Sequence, residues 1–380
     1  MEYIALKNIC KINMGQSPDS SSYNDNKDGI PFFQGNADFG EKYPVTRVWC
    51  NAPIKVAQPN DILISVRAPI GALNFAKEEC CIGRGLAALT PDRSKVSLEF
   101  IYWVLKWKKA ELNSKGTGST FKAISRKVLE ETLVPAIDFE KQYEYAEILG
   151  KTYSIIKKYK KELNCLDGLI KARFVEMFGD PVTNEKGWNQ KQLGEITTKL
   201  GSGATPKGGK EAYQEDGITL IRSMNVHNGL FEYKELAHIS EEQATKLDNV
   251  TIEENDVLLN ITGASVARSC VVPSKILPAR VNQHVCIIRC NQCIVPEFLN
   301  KLLIDDNYQR LLWSIARGGA TREAITKQQV ESLQIIVPPI ELQNQFADFV
   351  NQVDKSKVAV QKALDETQML FDSLMQEYFN

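Results

Sequence analysis

The sequence predicts an α+β protein made by tandem duplication of an α/β module plus a long helix, the two long helices pairing as an antiparallel coiled coil. Three observations carry this. From Pro135 to Gly179 an apolar residue returns every seven positions, at Leu149, Ile156, Leu163, Ile170 and Met177, with a second row at Tyr153, Tyr159, Leu166 and Phe174. Two interleaved rows at that spacing form a seam on one helix face. From Pro338 to Asn380 the pattern returns, at Phe346, Val353, Val360, Thr367 and Leu374, with Val350, Lys357, Leu364, Phe371 and Tyr378 between. Finally, the strings of turn and strand residues before each helix recur in the same order.

These signals set four segments: 1–134, a first module; 135–180, a central long helix; 181–337, a second module; 338–380, a C-terminal long helix. The first module opens with LKNICKINMGQSP, a polar loop, and GIPFFQGNADF. DILISVRAPIGAL alternates and reads as a strand and turn, and CCIGRGLAALTP as another strand. SLEFIYWVLKWKKAEL reads as a helix, with Ser97 as N-cap and Glu99 in the first turn. The glycine-rich loop KGTGSTFKAISR and the short strand ETLVPA lead into the central helix. Lys157, Lys158, Lys160 and Lys161 fall on its outer face, and Gly179 with Pro181 ends it. At about 1.5 Å per residue this helix is about 60 Å long, which calls for a partner of similar length.

Residues 181–337 replay the order. GITLIRSMNV answers GIPFFQGNAD, DVLLNITGASVA answers DILISVRAPIGA, and VNQHVCIIRC answers IGRGLAALTP. PEFLNKLLIDDNYQRLLW answers LEFIYWVLKWKKAEL, and RGGATREAITK answers GTGSTFKAISR. The helix starts also match in layout: VPAIDFEKQ and VPPIELQNQ share Val-Pro, an Ile, an acid and a closing Gln.

Taken together these strings resemble the specificity subunit of type I restriction-modification systems over nearly the whole chain. The pieces that carry the resemblance are VPAIDFEKQ and VPPIELQNQ, DILISVRAPIGA and DVLLNITGASVA, and the junction FGDPVTNEKGWNQKQLGEI. The resemblance implies that each module is a target-recognition domain reading one half of a split double-stranded DNA site. It implies that the helices set the gap between halves. It further implies that the chain docks methyltransferase subunits, expected to be two, and through the complex endonuclease subunits, without catalysis of its own. The other reading, from a different class, is a protein–protein adaptor with two modules on a coiled-coil strut and no DNA role.

Composition bounds both readings. The chain carries 46 Lys+Arg against 47 Asp+Glu, so DNA binding requires basic residues gathered on one face. Residues 1–134 hold 18 Lys+Arg against 14 Asp+Glu, whereas 338–380 hold 3 against 7. No apolar run is long enough to cross a bilayer. The start MEYIALKNICK lacks the layout of a secretion signal, so the nine cysteines read as reduced thiols and the expected location is cytoplasmic.

Base edges are read by Arg, Lys, Asn and Gln. The turns of the first module offer Gln34, Asn36, Arg67 and Arg84; those of the second offer Arg222, Asn225, Arg268, Asn282, Gln283 and His284. Lys115, Lys122, Lys207, Lys210 and Arg322, on glycine-rich loops, are the phosphate candidates. Cys290-x2-Cys293 lacks the second pair a structural zinc site requires, so no metal is expected. No Asn/Asp-Pro-Pro-aromatic string grips a flipped adenine, and GSGATPKGG lacks the Gly-Lys-Ser/Thr ending of a phosphate loop. No cofactor and no catalytic residue are therefore expected.

Overall fold

The computed structural model describes residues 2–118, 122–206, 208–318 and 323–380, with the side chain of Lys210 also outside it. Contacts divide the chain into two compact units, Met1–Lys160 with Lys362–Asn380, and Lys161–Gln361. Each unit thus takes a portion of both long helices, Phe139–Phe178 and Ile340–Phe379.

In the first unit, a four-stranded antiparallel sheet runs in the order Cys10–Met14, Leu86–Pro91, Ile62–Ser65, Leu73–Phe75. A second, five-stranded sheet includes Ile30–Phe33, which lies parallel to Cys80–Ile82. CCIGRGLAALTP is therefore not one strand: it breaks at Gly83–Gly85 and feeds two sheets. The break follows from close packing, since a Cβ on Gly85 would lie 2.4 Å from the Gln34 carbonyl oxygen. Helix Leu98–Trp107 is capped by the Ser97 hydroxyl, which accepts from Phe100 N–H at 3.1 Å. It stops one turn early, at Lys108, and Lys109–Ser114 continues as a separate segment. Tyr3–Ala5 pairs with Leu133–Pro135, tying the chain start to the entry of the central helix.

The second unit repeats this layout, with three strands in its second sheet where the first unit has five. Its four-stranded sheet runs Thr197–Ser202, Val285–Cys290, Val257–Asn260, Ser269–Val271. Ile218–Ile221 lies parallel to Ala279–Val281, as Ile30–Phe33 does to Cys80–Ile82. Gln190–Gln192 pairs with Gln334–Ile336.

Within each unit the long helices pack antiparallel. In the first, Tyr145 stacks on Tyr378 at 3.8 Å, and Tyr153 meets Phe371 at 5.7 Å. In the second, Phe174 and Phe178 both lie 5.5 Å from Phe346, and Lys357 pairs with Asp167 at 2.7 Å. Leu149, Ile156, Ile170, Val353 and Leu364 are buried; Leu163, Val360 and Leu374 are half-buried. For Leu374 the difference has a geometric cause. A straight helix drifts about 20° per heptad against a seven-residue repeat, so by the end of the C-terminal helix Met375, 4% exposed, has taken the inward place expected for Leu374. The central helix ends at Gly179, whose φ of +77° suits glycine. Trp188 Nε1–H donates to the Phe178 carbonyl at 2.9 Å, and Lys186 reaches the Met177 carbonyl at 3.2 Å.

One register differs from the sequence reading. The side chain of Gln142 accepts the Ser97 N–H at 2.8 Å and donates to the Ile137 carbonyl at 2.9 Å. Its counterpart is Gln343, not Gln345: Gln343 accepts the Val295 N–H at 2.9 Å and donates to the Pro338 carbonyl at 2.8 Å. Val134-Pro135 therefore corresponds to Ile335-Ile336, two residues ahead of the second Val-Pro. Position in the strand and the buried amide decide the repeat, and the Val-Pro pairs are displaced from it. Replacing Gln343 by Ala leaves the Val295 N–H and Pro338 carbonyl unpaired and is expected to cost about 1–3 kcal/mol in denaturant unfolding. Replacing exposed Gln345 by Ala is expected to stay within about 0.5 kcal/mol.

Candidate nucleic-acid interface

In each module the candidate readers collect at one set of hydrogen-bonded turns. In the first, Gly83 N–H donates to the Phe33 carbonyl at 2.9 Å, Val66 N–H to Gly85 at 2.9 Å, and Ile124 N–H to Val66 at 2.9 Å. In the second, Asn282 N–H donates to Ile221 at 3.0 Å, Ile261 N–H to His284 at 3.0 Å, and Ile325 N–H to Ile261 at 2.8 Å. These matching bonds define equivalent positions: Gln34 with Arg222, Arg67 with Thr262, Gly83 with Asn282, Arg84 with Gln283, and Gly85 with His284. The frame is repeated while the side chains differ.

Gln34 and Arg84 are exposed, and Ser17 lies between them. The Ser17 hydroxyl exchanges hydrogen bonds with the Gln34 amide at 3.0–3.1 Å and accepts the Arg84 N–H at 3.3 Å. Asn36 lies half-buried in the following short helical turn, Asn36–Asp38. Arg67 is exposed and its backbone bridges Ala123, while the Ala68 N–H donates to the Lys122 carbonyl at 3.0 Å. Arg67, Arg84 and Lys122 have no carboxylate partner among the described residues, so they leave uncompensated positive charge on this edge. Lys115 differs, because its ammonium pairs with Glu111 at 2.6 Å.

In the second module Arg222 lies over the Tyr213 ring at 5.5 Å and donates to the Glu235 carbonyl. Gln283 is exposed, accepts from the Thr205 hydroxyl, and lies 3.1 Å from His284 Nε2. His284 Nδ1 is 2.6 Å from the Thr262 hydroxyl. Arg268 is half-buried, with a guanidinium nitrogen 3.5 Å from His227 Nδ1. Asn282 is mostly buried and its side chain accepts the His284 N–H at 3.0 Å, so it holds the turn that carries Gln283 and His284. Asn225 is fully buried: it accepts the Arg222 N–H at 3.1 Å and donates to the Glu232 and Lys234 carbonyls at 3.0 and 3.2 Å. Every face of that amide serves the fold. Lys207, Arg322 and the Lys210 side chain lie outside the described residues.

Sequence reasoning missed Ser17, Thr205 and Thr262. A signal for the first two was present, since GQSP at 15–18 and GATP at 203–206 repeat a Gly-x-Ser/Thr-Pro pattern. Gly15 and Gly203 are required by space: a Cβ would lie 2.2 Å from the Gly83 carbonyl oxygen and 1.7 Å from that of Val281.

Cys10, Cys50, Cys80, Cys81, Cys270 and Cys286 are buried, Cys290 and Cys293 half-buried, and Cys165 exposed. Burial pushes Cys290 up to about 12, a poor state for a metal ligand. Among the described residues no group of three His, Cys, Asp or Glu side chains gathers to hold a metal ion. Among them, too, no helix is long and apolar enough to cross a membrane.

The sequence profile of the type I restriction modification DNA specificity domain matches residues 1–165 and 185–367. A sequence described as the specificity subunit of the type I restriction enzyme MjaX of Methanocaldococcus jannaschii is 44% identical over 152 residues, which cover 40% of this chain and 36% of that protein. The EcoBI specificity subunit of Escherichia coli is 22% identical over 417 residues, covering 99% of this chain and 85% of that one. The crystal structure of a type I restriction-modification system S subunit from M. genitalium superposes with a TM-score of 0.65 at 16% identity, covering 100% and 96% of the two chains.

Asn225→Ala is expected to destabilise the chain by about 1–3 kcal/mol, because three backbone groups lose their partner. Gln34→Ala, at an exposed position, is expected to change unfolding free energy by no more than about 0.5 kcal/mol. Denaturant titration of both variants checks the contrast.

Proposed function

Because the chain belongs to the type I restriction-modification specificity family, we propose that it is the sequence-reading, non-catalytic subunit of such a complex. It acts on double-stranded DNA in the cytoplasm, and its two modules read the two unlike halves of one split site. It docks methyltransferase subunits, two per chain, and endonuclease subunits through the complex.

The observation that carries this reading is the pairing of unlike side chains at equivalent turns. Gln34 stands where the second module has Arg222, Arg84 where it has Gln283, and Arg67 where it has Thr262. Glutamine pairs two-pronged with adenine N6 and N7, arginine with guanine O6 and N7. One frame with different donors and acceptors at each position therefore recognises two different sequences by one geometry. Arg67 and Arg84 read bases, while Lys122 in the first module, beside a Lys115 that also holds Glu111, and Lys207, Lys210 and Arg322 in the second, supply charge toward phosphates. That attraction fixes position without choosing sequence. Asn36, Arg268, Asn282 and His284 sit beside the reading turns and complete the proposed contact sets, while Asn225 holds the Arg222 turn in place. The paired helices provide the gap between the half-sites.

Exchange of residues 1–134 for the corresponding module of another specificity subunit is expected to change one half-site and leave the other. Selection of bound sequences from a random DNA pool reads the result, and a change in both halves contradicts independent reading. In the same assay Gln34→Ala is expected to cost about 1–3 kcal/mol at one base position, and Lys122→Ala to weaken all sequences alike and flatten the salt dependence. Inserting seven residues into each long helix lengthens each by about 10 Å and is expected to widen the unread gap by about three base pairs.

A further inference from the structure

The two units differ at one place where their repeat gives matching positions. The glutamine contacts make Ser97 equivalent to Val295, so Trp103 and Lys301, each six residues on, are equivalent. Counting along the helices from Gln142 and Gln343 makes Tyr153 equivalent to Asp354, and Phe371 to Ile170.

In the first unit these positions hold an aromatic plug. Trp103, only 6% exposed, meets Tyr153 edge-on at 5.5 Å and Phe371 at 5.7 Å. The Lys106 ammonium sits 3.7 Å from the centre of the Tyr153 ring. In the second unit Lys301, Asp354 and Ile170 line a cleft of about 820 Å³. That volume falls within the range of sites that accept a ligand or a protruding side chain.

The charges in the cleft are unevenly spent. Lys357 pairs with Asp167 at 2.7 Å and Asp354 at 3.3 Å, and Lys171 with Asp306 at 2.9 Å. The Lys301 ammonium has no direct hydrogen-bond or ion-pair partner among the described residues, the nearby carboxylates Asp354, Asp167 and Glu297 acting on it only at a distance. Burial holds its pKa below the ordinary lysine value, with nearby Asp354 opposing that shift. A half-buried ammonium without a direct partner is costly, and a carboxylate brought into contact with it recovers part of that cost. Two lining side chains remain in water, Leu230 at 63% exposed and Val358 at 71%. They extend the apolar surface beyond what a single small molecule covers, which favours a polypeptide.

We infer that this cleft is a docking site for a partner protein segment that inserts an aromatic side chain and sets an adjacent carboxylate against Lys301. The inserted ring takes the place that Trp103 fills from within the first unit. Because the first unit is already plugged, one such segment binds per chain, and the two halves of the duplicated chain become distinguishable to a partner. This inference does not depend on DNA reading, so either can fail without the other.

The test uses the full chain, without DNA. Peptides of about twelve residues are selected from a random displayed library on the wild-type protein, and the recovered sequences are synthesised and titrated calorimetrically. Expected are peptides with Trp, Tyr or Phe next to Asp or Glu. Lys301→Trp, which fills the cleft, is expected to weaken their binding by about tenfold or more. In wild type, changing the peptide's acid to its amide is expected to weaken binding by about tenfold; in Lys301→Gln the same change is expected to have less than about a twofold effect. Circular dichroism confirms folding of each variant, and if Lys301→Trp does not fold, the Lys301→Gln comparison decides. Recovery of no aromatic–acid pattern, or equal sensitivity to the peptide's acid in Lys301→Gln, overturns the proposal. So does self-association of the chain that Lys301→Gln abolishes, which would make a second copy the occupant.

Discussion

A single buried amide at the start of each long helix holds this architecture in register. Gln142 and Gln343 each accept the N–H of the N-cap residue of a module helix, Ser97 and Val295, and donate to the chain just before the long helix. An uncompensated buried N–H or carbonyl costs more than a hydrogen bond returns, so slippage of a module along its helix is penalised. Because the same clamp occurs twice, the modules share a frame, and positions in one have defined counterparts in the other. The aromatic contacts of the helices, Tyr145 on Tyr378 in one unit and Phe174 on Phe346 in the other, are laid out from those two clamps.

The duplicated frame separates what must be constant from what is free to vary. Gly15 and Gly203 sit where backbone passes so close that a Cβ collides. Asp61 and Asp256 cap the same turn, accepting the N–H of Gln58 and of Glu253 at 2.8 Å in each case. The second unit reinforces that turn further, with the Arg289 guanidinium forked onto the Asp256 carboxylate at 2.8 and 2.9 Å. The side chains at the turn tips, by contrast, carry little of the fold. Exposed positions on a rigid frame are where recognition changes without loss of stability.

Much of this was legible in the sequence, and the gaps have physical causes. The heptad rows announced both long helices, and the correspondence of DILISVRAPIGA with DVLLNITGASVA aligned Arg67 with Thr262 correctly. The helix starts were misaligned because Val-Pro is conspicuous while a buried glutamine is not; Gln343 and Gln345 look alike in sequence and differ only in which faces inward. Asn225 sits beside a turn, as a reader would, yet the chain at Glu232 and Lys234 folds back onto it, an event no local pattern announces. Ser17 and Thr205 are short hydroxyls of common type, visible only once the two GxSP-like strings are aligned. The cleft at Lys301 depends on the register that the glutamines set, and so was hidden with it.

The central claim is that one frame, used twice with different side chains, reads two different halves of one DNA site. It is tested most directly by mapping modified bases across the genome of the source cell, with and without this gene. The account predicts that deletion removes modification at one motif, made of two unlike half-sites separated by a fixed stretch of unread bases. Loss of a contiguous or palindromic motif, or a modification map unchanged by the deletion, would contradict it.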